Sequence, residues 1–146
     1  RTKSRGLGDV YKRQFVDGDW MRTGDVAYLD EEGFLFIVDR IKDLVIRGGE
    51  NIGCGEVEAA LLEHPLVHEA SVYAVPDERL GEEVGATLYT ERDLSDEELR
   101  DFLSERLAKF KIPTYVWQHR EPLPRTASGK IFKRELRQQA VARAGA

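Results

Sequence analysis

A lysine set behind two small residues and a glycine, in the stretch Pro124–Ile131 (PRTASGKI), has the surroundings of a phosphate binder. It is not a Walker lysine. That loop requires a glycine five positions before its second glycine, where Pro124 stands, and Ser or Thr after the lysine, where Ile131 stands. On these residues alone Lys130 is either a phosphate-facing cation or one more solvated lysine among 22 basic residues. The paired Gly48 and Gly49 of RGGEN permit backbone angles and close approaches that other residues forbid, which suits a functional loop or only a tight turn. His64 and His68 have the spacing of two metal ligands on one helix, but Pro65 lies between them, so no metal site is expected. The sequence holds no G-x-S-x-G elbow, no paired-cysteine motif and no dinucleotide fingerprint.

The elements that must position these residues follow from periodicity. Val26–Leu29 and Phe34–Val38 read as a hairpin about a turn at Asp30–Gly33. The charged bridge DRIKD then leads to a short strand, LVI, and the RGGEN loop. Val57, Ala60 and Leu61 have helical spacing, and that helix is expected to stop near Glu63, ahead of Pro65. Strands are predicted over Val67–Val75 and Val84–Tyr89. Ser95 with Glu98 forms a capping box for a helix whose apolar face carries Leu99, Phe102, Leu103 and Leu107. Val116 and Trp117 suggest one more short strand, and FKRELRQQAVAR a closing surface helix. The fold class is therefore α+β, with a boundary at Asp39–Asp43 between a hairpin that has nothing of its own to bury against and a domain of about 100 residues.

Composition sets further bounds. At 146 residues, 41% hydrophobic and 34% charged, the chain suits a soluble globular protein with room for one core, and no apolar run is long enough for a membrane span. A formal charge of −5 argues against nucleic acid as a partner. One cysteine and no leader-like apolar stretch make a reducing cytoplasmic compartment the expectation. Asp9–Gln14 (DVYKRQ) back-translates to GAT GTG TAT AAG AGA CAG, the transposon end used in preparing sequencing libraries. Residues 1–14 are accordingly expected to be adapter read-through, the alternative being a basic, disordered arm.

Four segments, WMRTGD (Trp20–Asp25), DRIKDLVIRGGENI (Asp39–Ile52), VPDERLGE (Val75–Glu82) and PRTASGK (Pro124–Lys130), resemble in order and spacing the C-terminal motifs of the adenylate-forming superfamily. That superfamily comprises acyl-CoA synthetases, the adenylation domains of nonribosomal peptide synthesis and the beetle luciferases. The resemblance runs from about Trp20 to Arg137, and GGEN looks more like the CoA ligases. It implies a small C-terminal lid over residues 44–146, a short sheet packed by helices. The lid would follow a hinge at 39–43 and a hairpin, 15–38, left from the end of a large N-terminal domain. The implied chemistry joins a carboxylic acid to the α-phosphate of ATP, releasing pyrophosphate, and then lets a thiol displace AMP. The lid would turn about its hinge to present a different face for each half-reaction.

By the same resemblance, Lys130 reaches the carboxylate and phosphate oxygens during adenylation. Thr23 and Asp25 of RTGD bind the nucleotide, Asp25 accepting hydrogen bonds from the ribose hydroxyls, and Arg40 contacts the ribose and phosphate region. Lys42 occupies the hinge. Gly48, Gly49 and Glu50 belong to the loop that lines the pantetheine tunnel. ATP, Mg2+ and CoA are the implied cofactors, with ATP and Mg2+ held mainly by the missing N-terminal domain. The fragment alone is expected to be inactive in adenylation. Two alternatives stand beside the CoA ligase: an adenylation domain that loads a carrier protein's phosphopantetheine, and a non-catalytic α+β interaction module. One departure is that Cys54, between glycines, takes the place of the proline that usually opens the next helix. A small residue filling the same space is the simpler reading of it, against a thiol of lowered pKa.

Overall fold

The computed structural model describes residues 15–16 and 20–145, so the expectation for residues 1–14 lies outside the described residues. The chain divides into two compact units, one ending at Lys42 and the other beginning at Asp43.

In the first unit β1 (Phe15–Val16) pairs with β2 (Trp20–Met21), and β3 (Asp25–Leu29) with β4 (Leu35–Arg40), both antiparallel. The second hairpin closes as the sequence predicts. The Asp30 carboxylate accepts from the amides of Glu32 (3.0 Å) and Phe34 (2.8 Å), and Gly33 takes the positive φ of +87° that the turn requires. The strand continues two residues past the predicted Val38, because Asp39 and Arg40 still find ladder partners in Val26 and Asp25. Leu29, Phe34, Leu35 and Ile37 stay exposed, so this hairpin builds no core of its own.

The second unit is a small α+β domain on a mixed sheet. β5 (Leu44–Arg47) and β6 (Glu50–Gly53) form a short hairpin. β7 (Val67–Asp77) and β8 (Gly81–Thr90) form a long one, and β9 (Tyr115–His119) joins β8 in parallel. The strand order is β6-β5-β8-β7, and β5 and β9 meet β8 along the same margin. Alternate residues of β7 serve opposite faces, as the two-residue period of a strand demands. Ala70 and Val72 enter the larger core with Val45, Ile52, Val57, Leu61, Val84, Leu88 and Leu103. Tyr73 and Val75 enter a smaller core with Leu123, Leu136 and Ala140. Helices α1 (Cys54–Leu62) and α2 (Asp96–Ser104) supply the first of these, and α3 (Lys133–Ala144) the second.

The free margin of β7 is closed by side chains. The Val72 amide donates to Glu58 of α1 (2.9 Å), and Arg137 of α3 donates to the Ala74 carbonyl (2.8 Å); this satisfies groups that would otherwise invite another strand. Glu58 also meets Lys133, the first residue of α3, at 2.9 Å, with Asp43 at 3.8 Å from the same ammonium. Burial works against that charge, but Glu58, with Cys54 and Asp43 adding to it, holds the Lys133 pKa above the usual lysine value.

The capping box is half formed. Ser95 Oγ accepts from the Glu98 amide (3.1 Å), but the Glu98 carboxylate pairs with Arg92 (2.6 Å) instead of returning to Ser95. The helix ends at Ser104, so Leu107 is buried from beyond it. Cys54 opens α1 as a buried core residue, 2% exposed, and Gly53 before it offers no side-chain cap.

One glycine is set by packing. A methyl group on Gly85 would lie 2.6 Å from Val75 Cγ2 and 3.0 Å from the Tyr73 ring. Gly85→Ala is therefore expected to cost about 1–3 kcal/mol through overpacking, read from the shift of the urea midpoint. An unchanged midpoint would contradict this packing of the smaller core.

Candidate functional site

In the first unit the structure brings three of the predicted residues together. Asp25 and Arg40 face each other on one rung of the β3–β4 ladder, and Arg40 Nε lies 3.2 Å from Asp25 Oδ1. The Asp25 amide donates to Thr23 Oγ1 at 3.2 Å. Gly24 between them has φ +79°, and its carbonyl accepts from the Ile41 amide at 2.8 Å, which ties the RTGD turn to the end of β4. The Asp25 side chain is 22% exposed and that of Arg40 70%. The pair thus offers a carboxylate and a guanidinium side by side, suited to a group bearing both hydroxyls and phosphate. Lys42 follows in a single 3-10 turn, Ile41–Asp43.

In the second unit the RGGE turn is a two-residue hairpin. Arg47 pairs with Glu50, and Gly48 and Gly49 take φ of +55° and +90°. Positive φ at both central positions is what a type I′ hairpin turn needs, so the backbone alone accounts for both glycines. The Gly48 amide donates to the Leu80 carbonyl (2.9 Å), which fixes this tip beside the turn between β7 and β8. Glu50 is exposed at the start of β6. Arg47 is committed inward: its Nε lies 2.8 Å from buried Glu83, which also accepts from Thr114 Oγ1 (3.0 Å). That hydrogen bond to Glu83 raises the Arg47 pKa above its usual value, against the opposing effect of burial. Next to Arg47 is an open groove of about 670 Å³ that also holds Arg100, Lys109 and Phe110.

Lys130 stands at the tip of a different turn. Arg125 and Ile131 make a β-bridge. Within it the Gly129 amide donates to the Thr126 carbonyl (2.9 Å) and the Thr126 amide to the Lys130 carbonyl (2.8 Å). Gly129 has φ +83°, the left-handed residue that completes a three-residue hairpin loop with a bulge. Thr126 and Ser128 share a hydroxyl hydrogen bond of 2.9 Å. The sequence TASGK thus forms a tight turn, and Arg125 Nη1 from outside it donates to the Gly129 carbonyl at 2.8 Å. Its lysine is exposed, and the Lys130 ammonium meets no carboxylate among the described residues.

The lysine loop and the glycine turn occupy opposite ends of one ladder. The glycine turn is bonded at Leu80, beside the rung Asp77↔Gly81, and the lysine loop is bonded at Glu69, on the rung Glu69↔Tyr89. At about 3.3 Å per residue those rungs are roughly 25 Å apart. The sequence reading missed Glu69, which receives both the Leu123 amide (2.7 Å) and the Arg125 guanidinium. Only its place on the Tyr73 face of β7 could have marked it, because its partners lie more than fifty residues along the chain.

Residues 56–130 match the AMP-binding enzyme C-terminal domain. The chain belongs to that family. It is 45% identical over 126 residues to a 2-succinylbenzoate–CoA ligase of Bacillus cereus, an alignment that covers 86% of this chain and 26% of the relative. Among solved structures it resembles the o-succinylbenzoate CoA synthetase (MenE) of Bacillus subtilis in complex with the acyl-adenylate intermediate OSB-AMP (46% identity, TM-score 0.76, covering 86% of this chain and 25% of that one). It also resembles ATP-bound MatB from Rhodopseudomonas palustris (33% identity, TM-score 0.79, covering 93% and 27%). The chain spans about a quarter of the length of these relatives and corresponds to the C-terminal part of acyl-CoA ligases. The B. subtilis enzyme has also been solved with ATP and magnesium ion, and as a double mutant with its product analogue OSB-NCoA.

Proposed function

We propose that this chain is the lid of an ATP-dependent acid–thiol ligase that makes acyl-CoA. A carboxylate attacks the α-phosphorus of ATP and pyrophosphate leaves; the thiol of CoA then attacks the acyl carbon of the mixed anhydride and AMP leaves. The observation that carries the reading is the placement of an exposed Lys130 and of the Gly48–Gly49 turn at opposite ends of the β7–β8 ladder. A rotation about Lys42 can then exchange one for the other at a single site.

In the adenylating arrangement Lys130 supplies a cation where carboxylate and phosphate oxygens gather, a stabilisation made in the transition state. Asp25 accepts from the two ribose hydroxyls, and Arg40, already beside it, supplies positive charge toward the phosphate side. Thr23 holds the Asp25 backbone. In the thioester-forming arrangement the turn of Gly48, Gly49 and Glu50 borders the pantetheine arm, where side-chain-free backbone leaves a narrow passage open. The groove with Arg100 and Lys109 adds positive charge on the same side, suited to the phosphates at the far end of CoA. Mg2+ would accompany ATP and be held mainly by the large N-terminal domain. No helix among the described residues is long and apolar enough to cross a membrane, and the single Cys54 suits a reducing, cytoplasmic setting.

Pyrophosphate exchange into ATP tests this reading. The 146-residue chain alone is expected to show none above background. Residues 15–146 joined to the large domain of the B. subtilis ligase are expected to restore exchange that depends on its acid substrate. A folded fusion that adenylates no faster than the large domain alone would refute the lid assignment.

A further inference from the structure

We infer that Glu69 and Arg125 act together as positioning residues for Lys130 during adenylation, an inference that rests on the role proposed for that lysine. Lysine carries its charge on a flexible four-carbon stem, so its ammonium is only as well placed as the peptide from which it projects. That peptide begins at the Gly129 carbonyl, which accepts from Arg125 Nη1 at 2.8 Å. The other terminal nitrogen of the same guanidinium, Nη2, donates to Glu69 Oε1. The second carboxylate oxygen, Glu69 Oε2, accepts from the Leu123 amide at 2.7 Å. One carboxylate therefore holds the chain as it enters the loop and, through a planar fork, as it leaves toward Lys130.

Its base is rigid. Glu69 projects from β7, the longest strand of the sheet, and its side chain is 17% exposed. Leu123 beside it is buried in the smaller core. An exposed ion pair taken alone would contribute little. Here the geometry goes further, since a guanidinium offers two divergent donors and an ammonium could not hold both acceptors in those directions.

The arrangement makes a claim specific to one half-reaction. In the thioester-forming arrangement Lys130 is turned away, so a slack loop should harm adenylation and leave thiol transfer alone. The test uses the fusion of residues 15–146 to the related large domain, measuring acid adenylation and, separately, thioester formation from preformed acyl-adenylate. Glu69→Gln and Arg125→Met are each expected to lower the adenylation kcat by about 10- to 100-fold, the scale of an ångström-sized misplacement. Thioester formation should change by less than about threefold on the same scale. The double variant should be no worse than the poorer single one, since both residues act through one contact. Arg125→Lys should fall between the native protein and Arg125→Met, keeping the charge but not the fork.

A fall of both half-reactions by the same factor would show a general structural role and overturn the proposal. So would unchanged adenylation in Glu69→Gln or Arg125→Met while Lys130→Ala remains impaired, an outcome that leaves the role of Lys130 standing. If Lys130→Ala is itself without effect, both fall. Amide exchange in the 146-residue chain gives a readout independent of activity. Arg125→Met should speed exchange at Thr126 and Gly129, and unaltered protection there would count against the clamp.

Discussion

Lys130→Ala, in the fusion of residues 15–146 to a related large domain, is expected to slow acid-dependent pyrophosphate exchange by about 100- to 1,000-fold. The magnitude follows from what is removed. Lys130 projects from a turn whose internal hydrogen bonds involve Thr126, Ser128, Gly129 and the Lys130 carbonyl but not its ammonium, so truncation should leave the loop folded and delete only the charge. The half-reaction that starts from acyl-adenylate should proceed within about threefold of the parent, because the groups proposed to serve it lie at the other end of the β7–β8 ladder, whose end rungs are roughly 25 Å apart. Michaelis constants for ATP should move less than kcat, since the cation acts on charge that grows toward the transition state. Loss of both half-reactions to the same degree would mean that Lys130 supports the fold and not the chemistry.

The mirror-image result is expected for Gly49→Leu. A leucine there must adopt φ near +90°, which L side chains rarely do, and it places a branched chain at the wall assigned to the pantetheine arm. Thioester formation should fall by about 10- to 100-fold, while adenylation should change less than about threefold. The backbone strain adds on the order of 1–3 kcal/mol of destabilisation, so a thermal melt must accompany the kinetics. Gly49→Ala separates the two effects: it carries the same backbone penalty with little bulk. Equal thioester rates for Gly49→Ala and Gly49→Leu would show that the turn's conformation matters and its width does not.

These two turns also show what the sequence could and could not disclose. Both were visible as motifs, but the reasons for their glycines were not. Gly48 and Gly49 read as a functional loop, and the structure shows that a two-residue hairpin already requires them. The strand after them, β6, went unseen because Glu50–Gly53 carries a single β-branched residue, Ile52. Gly129 sits where a left-handed bulge closes the lysine loop, a local demand that could have been read from TASGK. Glu69 could not, since pairing it with Arg125 requires the register that brings β7 under the loop. Helix ends were legible only to within a few residues. Leu107 has the right spacing for α2, yet the chain turns after Ser104 and buries it by another route. The Glu98 carboxylate was read as closing a capping box, and a guanidinium at Arg92 competes it away. Local pattern thus gave the elements, and tertiary pairing decided which side chains work together.

The proposed exchange of the two ends of the lid at one site can be tested directly. Spin labels on cysteines introduced at Ala127 and at Glu50, both exposed, can be paired one at a time with a label beside the nucleotide site of the large domain, with Cys54 buried and out of reach. With ATP and an unreactive acid analogue, the label at position 127 should lie near that site and the label at position 50 far from it. With acyl-adenylate and CoA the order should reverse, each distance changing by roughly 25 Å, the scale of the ladder between them. Distance distributions that stay the same for both labels under both ligand conditions would contradict the alternating lid.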